Sequence, residues 1–153
     1  MTQRAAGPRH TADDQDTWLP LARAAYRNDV PVEPGVTAHI ELVVSADDTA
    51  IAARSGDVAV LATPRIVALC EEAAIAAIGE LADGETSVGM RVQIDHLAPT
   101  AVGSKVAADA RLEKIEGRRL IFSVAVNDDR GLVAAGKVTR VVVDRDRFLE
   151  KSS

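Results

Sequence analysis

The feature that most constrains this chain is the run over residues 63–79. Thr63 has the side chain of a helix N-cap, Pro64 suits the first helical position, and Gly79 suits a C-terminal stop. Between them stand Ile66 to Cys70 and Ala73 to Ile78, an apolar stretch interrupted only by Arg65, Glu71 and Glu72. A helix that is apolar nearly all round cannot lie on a surface, so other structure must wrap it.

The segments on either side show what that wrapping is. Residues 36–45 have the mixed apolar character of a strand, Ala46-Asp47-Asp48 opens a polar connection, and 49–60 reads as irregular or partly helical. Downstream, 87–95, 105–115, 119–127 and 132–143 read as four further strands. In the second of these, Val106, Ala108, Ala110 and Leu112 alternate with Asp109, Arg111 and Glu113. Residues 98–103 form a connection, while Glu116-Gly117 and Asp128-Asp129-Arg130-Gly131 supply tight turns. The expected order is strand, long buried helix, then an antiparallel meander of four strands. One apolar helix in such a chain fits best on the concave side of a strongly curved sheet, which is the α+β hotdog architecture. A helix lying across a flatter sheet is the structural rival.

The remaining chain divides simply. Residues 1–16 are polar with mixed charge and read as a disordered leader without the apolar h-region of a signal peptide. Trp18, Leu19, Leu21, Ala22, Ala25 and Tyr26 fall near helical spacing, so 17–35 reads as a short helix and linker that Pro31 and Pro34 stop. The hotdog domain is expected over 36–149, with 150–153 as a tail. A chain of 153 residues is one domain, long enough to bury a core without a staple.

Several classes of function are argued against. Cys70 is the single cysteine, and His10, His39 and His96 lie far apart without thiolate partners, so neither a disulfide framework nor a metal site is expected. No run approaches the roughly 18 apolar residues of a membrane span, and a cytoplasmic location is expected. Net charge is -5 and Arg118-Arg119 is the only basic doublet, which offers nucleic acid no basic face. Trp18, Tyr26, Phe122 and Phe148 are the only aromatics, so aliphatic residues must fill the core and no cluster exists to stack bases.

The motifs in order are Leu61-Ala62-Thr63-Pro64, Glu71 within the helix, Gly89, and Asp95-His96-Leu97-Ala98-Pro99-Thr100-Ala101-Val102-Gly103. Gly117-Arg118-Arg119-Leu120 and Val141-Val142-Val143-Asp144 follow. Together they resemble the fluoroacetyl-CoA-specific thioesterase family over about residues 36–149. The resemblance implies a hotdog dimer that hydrolyses acyl-CoA thioesters with a Thr, a Glu and a His, which fall on Thr63, Glu71 and His96, and a glycine beside the site, Gly89. Where many relatives have His-Glu-Arg in the last strand, this chain keeps only Arg140. Nothing aromatic lies between Tyr26 and Phe122, so no aromatic lid precedes Thr63 and fluoroacetyl specificity is not carried over.

The chemistry suits these residues. Thioester hydrolysis needs a base or nucleophile and a stabilised oxyanion. Glu71, mid-way along an apolar helix, is a costly place for a solvated charge and suits a general base or nucleophile; the structural alternative is a solvent edge or an ion pair with Arg65. His96 would activate water or orient Glu71, against a purely structural histidine. Thr63 would help hold the thioester oxygen beside the free amides of the helix start, or serve only as a cap. His39 reads as structural or surface.

Eight helical residues rise about 12 Å, so Thr63 and Glu71 of one chain cannot both touch one thioester carbon. A dimer with shared sites is therefore expected, with a dimer of dimers as the larger alternative. The phosphates of CoA call for cations at the pocket mouth, and Arg118, Arg119 and Arg140 are the candidates, ahead of Lys105. No cofactor is expected, CoA being part of the substrate; an acyl carrier protein is the alternative carrier. Two rival functions remain open: an acyl-thioester hydratase or dehydratase, and a non-catalytic acyl-CoA-binding protein that docks through residues 1–35.

Overall fold

A computed structural model describes residues 30–153. The expected leader, the short helix with Trp18 and Tyr26, and His10 lie outside the described residues. Residues 31–153 form one compact unit.

Strand β1 (Thr37–Val43) leads through a 3-10 turn (Ala46–Asp48) and irregular turns to helix α1 (Thr63–Ile78). Strands β2 (Glu85–His96), β3 (Lys105–Glu116), β4 (Arg119–Asp128) and β5 (Gly131–Asp144) follow, and a short helix α2 (Arg145–Glu150) ends the fold. All pairings are antiparallel, in the order β1-β3-β4-β5-β2. Only β3, β4 and β5 form a meander. Strand β2 does not join it at β3, as a four-strand meander requires, but runs beside β5 at the far edge. Residues 97–104 make this possible, because eight residues reach about 26 Å and three strand spacings amount to about 14 Å.

Two turns follow from their residues. Gly117, with φ 62°, closes the β3–β4 hairpin, a backbone region that costs glycine little. At the β4–β5 turn, the Asp128 carboxylate accepts from the amides of Arg130 at 2.8 Å and Gly131 at 3.1 Å. Helix α2 was not expected. Its signal is Asp144, whose carboxylate accepts from the Arg147 amide at 3.0 Å and caps the helix.

The alternation in β3 and β4 turns Val106, Ala108, Ala110, Leu112, Leu120, Phe122, Val124 and Val126 toward α1, and each is buried. Helix α1 touches every strand, chiefly β3 and β1. Phe122 is the one aromatic residue in the described core. The described residues wrap α1 on one side only. Ile66, Leu69, Cys70, Ala73, Ala74, Ala77 and Ile78 are buried, whereas Val67, Ala68 and Glu71 are half-buried and Ile75 is 48% exposed. Among the described residues five strands cover a single face, and an apolar stripe with Glu71 in its midst is left uncovered by them. No helix among the described residues is long and apolar enough to cross a membrane.

Candidate active site

The start of α1 is fastened from three sides. The Leu61 amide donates to the Thr100 carbonyl at 2.8 Å, the Ala62 amide donates to the Asp48 carbonyl at 2.8 Å, and Val60 bridges Ala101. Ala62 is extended, and its carbonyl accepts the first helical bond from Ile66 at 3.0 Å. Ala62 is therefore the N-cap, Thr63 the first helical residue and Pro64 the second, one position later than the side chains suggested. Thr63 is not the cap, and its hydroxyl bonds another partner.

That partner is His96. Thr63 Oγ1 lies 2.7 Å from His96 Nδ1, and His96 Nε2 lies 3.1 Å from the Ala98 carbonyl oxygen. A carbonyl can only accept, so Nε2 carries the ring proton and Nδ1 accepts from the threonine hydroxyl. A hydroxyl, an imidazole that can take its proton, and a group that orients the imidazole are thus in line. His96 ends β2 opposite Ala134, and the Leu97 and Ala98 amides both donate to the Val133 carbonyl, which fixes the loop that supplies the orienting oxygen.

The second cluster is built on the middle of the helix. Arg140 donates from Nη1 to Glu71 Oε2 at 2.8 Å, from Nε to Ser87 Oγ at 2.9 Å, and from Nη2 to the Ser87 carbonyl at 2.9 Å. Arg140 is 5% exposed, and burial pulls its pKa down while the Glu71 charge pulls it back up. Gly89 faces Arg140 across the β2–β5 ladder, and the register shifts between Gly89 and Arg91, leaving Met90 in a bulge. A Cβ on Gly89 would lie 2.5 Å from Glu71 Oε2, so glycine is the residue that admits the carboxylate. The other carboxylate oxygen of Glu71 has no hydrogen bond among the described residues, and the side chain is 31% exposed.

Three expectations are corrected here. Arg140 is not an open cation at a pocket mouth; it is enclosed and committed to Glu71 and Ser87. Glu71 is ion-paired, but not with Arg65, which pairs instead with Asp48 at 3.0 Å and Glu72 at 3.4 Å. Arg118 donates to the Val142 carbonyl at 2.9 Å and to Glu85 at 2.7 Å, a role in the sheet. Arg119 is exposed. Lys105 pairs with Glu41 at 3.4 Å in an exposed position. His39 bonds Asp109 at 2.7 Å in an exposed position. That bond is the main cause of its raised pKa, and the residue stands apart from both clusters. Cys70 is buried; burial, and then the Glu71 charge, push its thiol up to about 11.

Within one chain the structure joins Thr63 to His96 and, separately, Glu71 to Arg140, Ser87 and Gly89. It does not bring the two groups together. Ser87 was missed from sequence; its only signal is its place two residues before Gly89 on the same face of β2.

Comparison with known proteins places the chain among relatives of known fold and family. Residues 44–146 match the model of the fluoroacetyl-CoA-specific thioesterase family. The chain is 34% identical over 93 residues to the fluoroacetyl-CoA thioesterase of Streptantibioticus cattleyicolor, a match that spans 60% of this chain and 67% of that protein. A solved structure of a fluoroacetyl-CoA thioesterase aligns with a TM-score of 0.75 at 28% identity, over 79% of this chain and 95% of that one. A thioesterase superfamily member from Thermus thermophilus aligns with a TM-score of 0.73 at 29% identity, over 80% of this chain and 91% of that one.

Proposed function

The chain belongs to the fluoroacetyl-CoA-specific thioesterase family and is a hotdog-fold acyl-CoA thioesterase, and from that premise we propose that Thr63 and His96 of one protomer work with Glu71 of its partner. The observation that carries this reading is the 2.7 Å bond from the Thr63 hydroxyl to His96 at the tip of α1, about 12 Å along the helix from Glu71, the half-buried acid beside Val67, Ala68 and Ile75. Two α1 helices packed antiparallel along the stripe that these residues form give each tip the other's carboxylate. Strand β2, at the sheet edge, has one ladder edge unpaired among the described residues, which suits the same two-fold contact.

The reaction then runs as a balanced hydrolysis. Water adds to the thioester carbon as its proton passes to the unpaired oxygen of Glu71. The thioester oxygen becomes an oxyanion, held by first-turn amides of α1, which have no intrahelical acceptor. With the Thr63 proton directed at His96, the threonine oxygen turns lone pairs toward the attacking water and fixes its line of approach. Collapse of the tetrahedral intermediate breaks the C–S bond, and the proton held by Glu71 passes to the departing thiolate. The products are the free acid and CoA, and the route uses no further cofactor. Of the three arginines expected to meet the CoA phosphates, Arg119 keeps an exposed side chain and remains the candidate.

Thiol release from a panel of acyl-CoAs tests the reading. Wild type should release thiol, and Glu71→Gln should lose at least about a hundredfold in kcat. Undiminished release by Glu71→Gln removes Glu71 from the mechanism, and no release from any thioester by the wild-type protein favours a binding role.

A further inference from the structure

Arg140 donates three hydrogen bonds, and Ser87 supplies two of the three acceptors. We propose that Ser87 is a positioning residue for the hydrolysis: its hydroxyl and carbonyl fix the plane of the Arg140 guanidinium, which in turn fixes the Glu71 carboxylate. This rests on the reading of Glu71 given above.

The geometry follows from the strand pairing. Arg140 faces Gly89, and Ser87 is the diagonal neighbour on the same face of β2, within reach of a long side chain. A guanidinium is a rigid fork. Once Nε and Nη2 are bound by the oxygens of a single residue, the direction of Nη1 is set, and it is aimed at Glu71 Oε2 at 2.8 Å. Glycine at 89 cannot assist, having no side chain, and the bulge at Met90 shifts the ladder directly beyond it. The carboxylate is part-exposed and would otherwise sample other rotamers, whereas Arg140 is enclosed and cannot turn to water for a substitute acceptor. Deleting the Ser87 hydroxyl leaves the Nε proton buried without an acceptor, so the fork must tilt to recover one.

Threonine and valine differ at this site by one hydroxyl and have nearly the same shape, and both suit a strand. The experiment measures kcat and KM for acyl-CoA hydrolysis by Ser87→Thr, Ser87→Val and Glu71→Gln beside wild type. A lost hydrogen bond to a charged group corresponds to about a tenfold to hundredfold fall in rate. Ser87→Val should lose at least about tenfold in kcat with KM within about twofold, and Ser87→Thr should stay within about twofold of wild type on both. If the valine protein does not fold, Ser87→Ala, which adds no bulk, reads the same loss. A hydroxyl-free variant with wild-type kcat overturns the proposal, as does a threonine variant that falls as far as valine. If Glu71→Gln is inactive while Ser87→Val is unimpaired, only the positioning role fails; if Glu71→Gln is fully active, the reading of Glu71 fails and this role with it.

Discussion

The Arg140 guanidinium and the Glu71 carboxylate meet at 2.8 Å with very different exposures, 6% and 31% for the two side chains. A sealed cation thus holds one oxygen of an acid whose other oxygen has no hydrogen bond among the described residues. Sealing the acid as well would make a structural ion pair; leaving both in solvent would let the carboxylate wander. Gly89 sits where this asymmetry is set, because its missing Cβ is the space that Glu71 fills.

Gly89→Ala should therefore be a defect of activity and not of folding. The added Cβ meets the end of a flexible side chain 2.5 Å away, so the carboxylate moves and the strand does not. A displacement of that size is expected to cost about a hundredfold in kcat. Thermal unfolding should stay near wild type, since alanine suits a strand at least as well as glycine. The two are measured by thiol release and by circular dichroism.

Thr63 separates a cap from a catalytic hydroxyl. Had it been the N-cap, alanine would cost about 1 kcal/mol of stability. With Ala62 as the cap, Thr63→Ala should cost less than about 0.5 kcal/mol by urea unfolding, the usual size of a surface change. Its kcat should fall at least about a hundredfold, and Thr63→Ser should keep most of the activity, because it preserves the oxygen bonded to His96.

The Cys70 thiol gives a pH signature. Burial, with the nearby Glu71 charge, raises it from 9.0 to about 11, so the folded chain holds a proton that the unfolded chain releases first. That contribution is complete below pH 9 and is lost as pH climbs through about 11, about 2–3 kcal/mol over the interval. Urea titrations of wild type and Cys70→Ala at either end should show wild type losing more stability by roughly that margin. The thiol should also resist alkylation at neutral pH until the protein unfolds.

Ile75 tests the partner helix. It is 48% exposed in one chain and lies one turn beyond Glu71 on the same stripe. In a two-fold contact each copy buries it, so Ile75→Gln should weaken the dimer about a hundredfold, counting two side chains. Sedimentation should show a shift toward monomer, and activity per chain should fall as the protein is diluted.

Much of this was legible in the sequence, and the failures are specific. The helix and its C-terminal glycine are written in the apolar run over 63–78 and in Gly79, and the meander is written in its turns. The helix start was displaced by one residue because a threonine side chain resembles a cap, whereas the extended backbone of Ala62 and the Ile66 amide decide it. The place of β2 was not legible, since an eight-residue connection reaches either edge and no side chain in it marks the choice. Thr63, Glu71, Gly89 and His96 were named from the resemblance, and Arg140 was named with other surroundings than those it has. A pairing 69 residues apart leaves no spacing signal, and an arginine reads as a surface cation until its strand is known to face Gly89. Ser87 is marked only by its place two residues before Gly89.

The central claim, that each site draws Glu71 from one protomer and Thr63 with His96 from the other, is tested by mixing two inactive chains. Glu71→Gln and His96→Ala are co-expressed with different tags, and thiol release is measured on the purified heterodimer and on the statistical mixture. A shared site leaves one of the two sites in the heterodimer intact, so the heterodimer should recover about half of wild-type activity and the mixture about a quarter. If all three residues act within one chain, every site in the heterodimer carries a lesion, and activity no higher than that of either parent would contradict the claim.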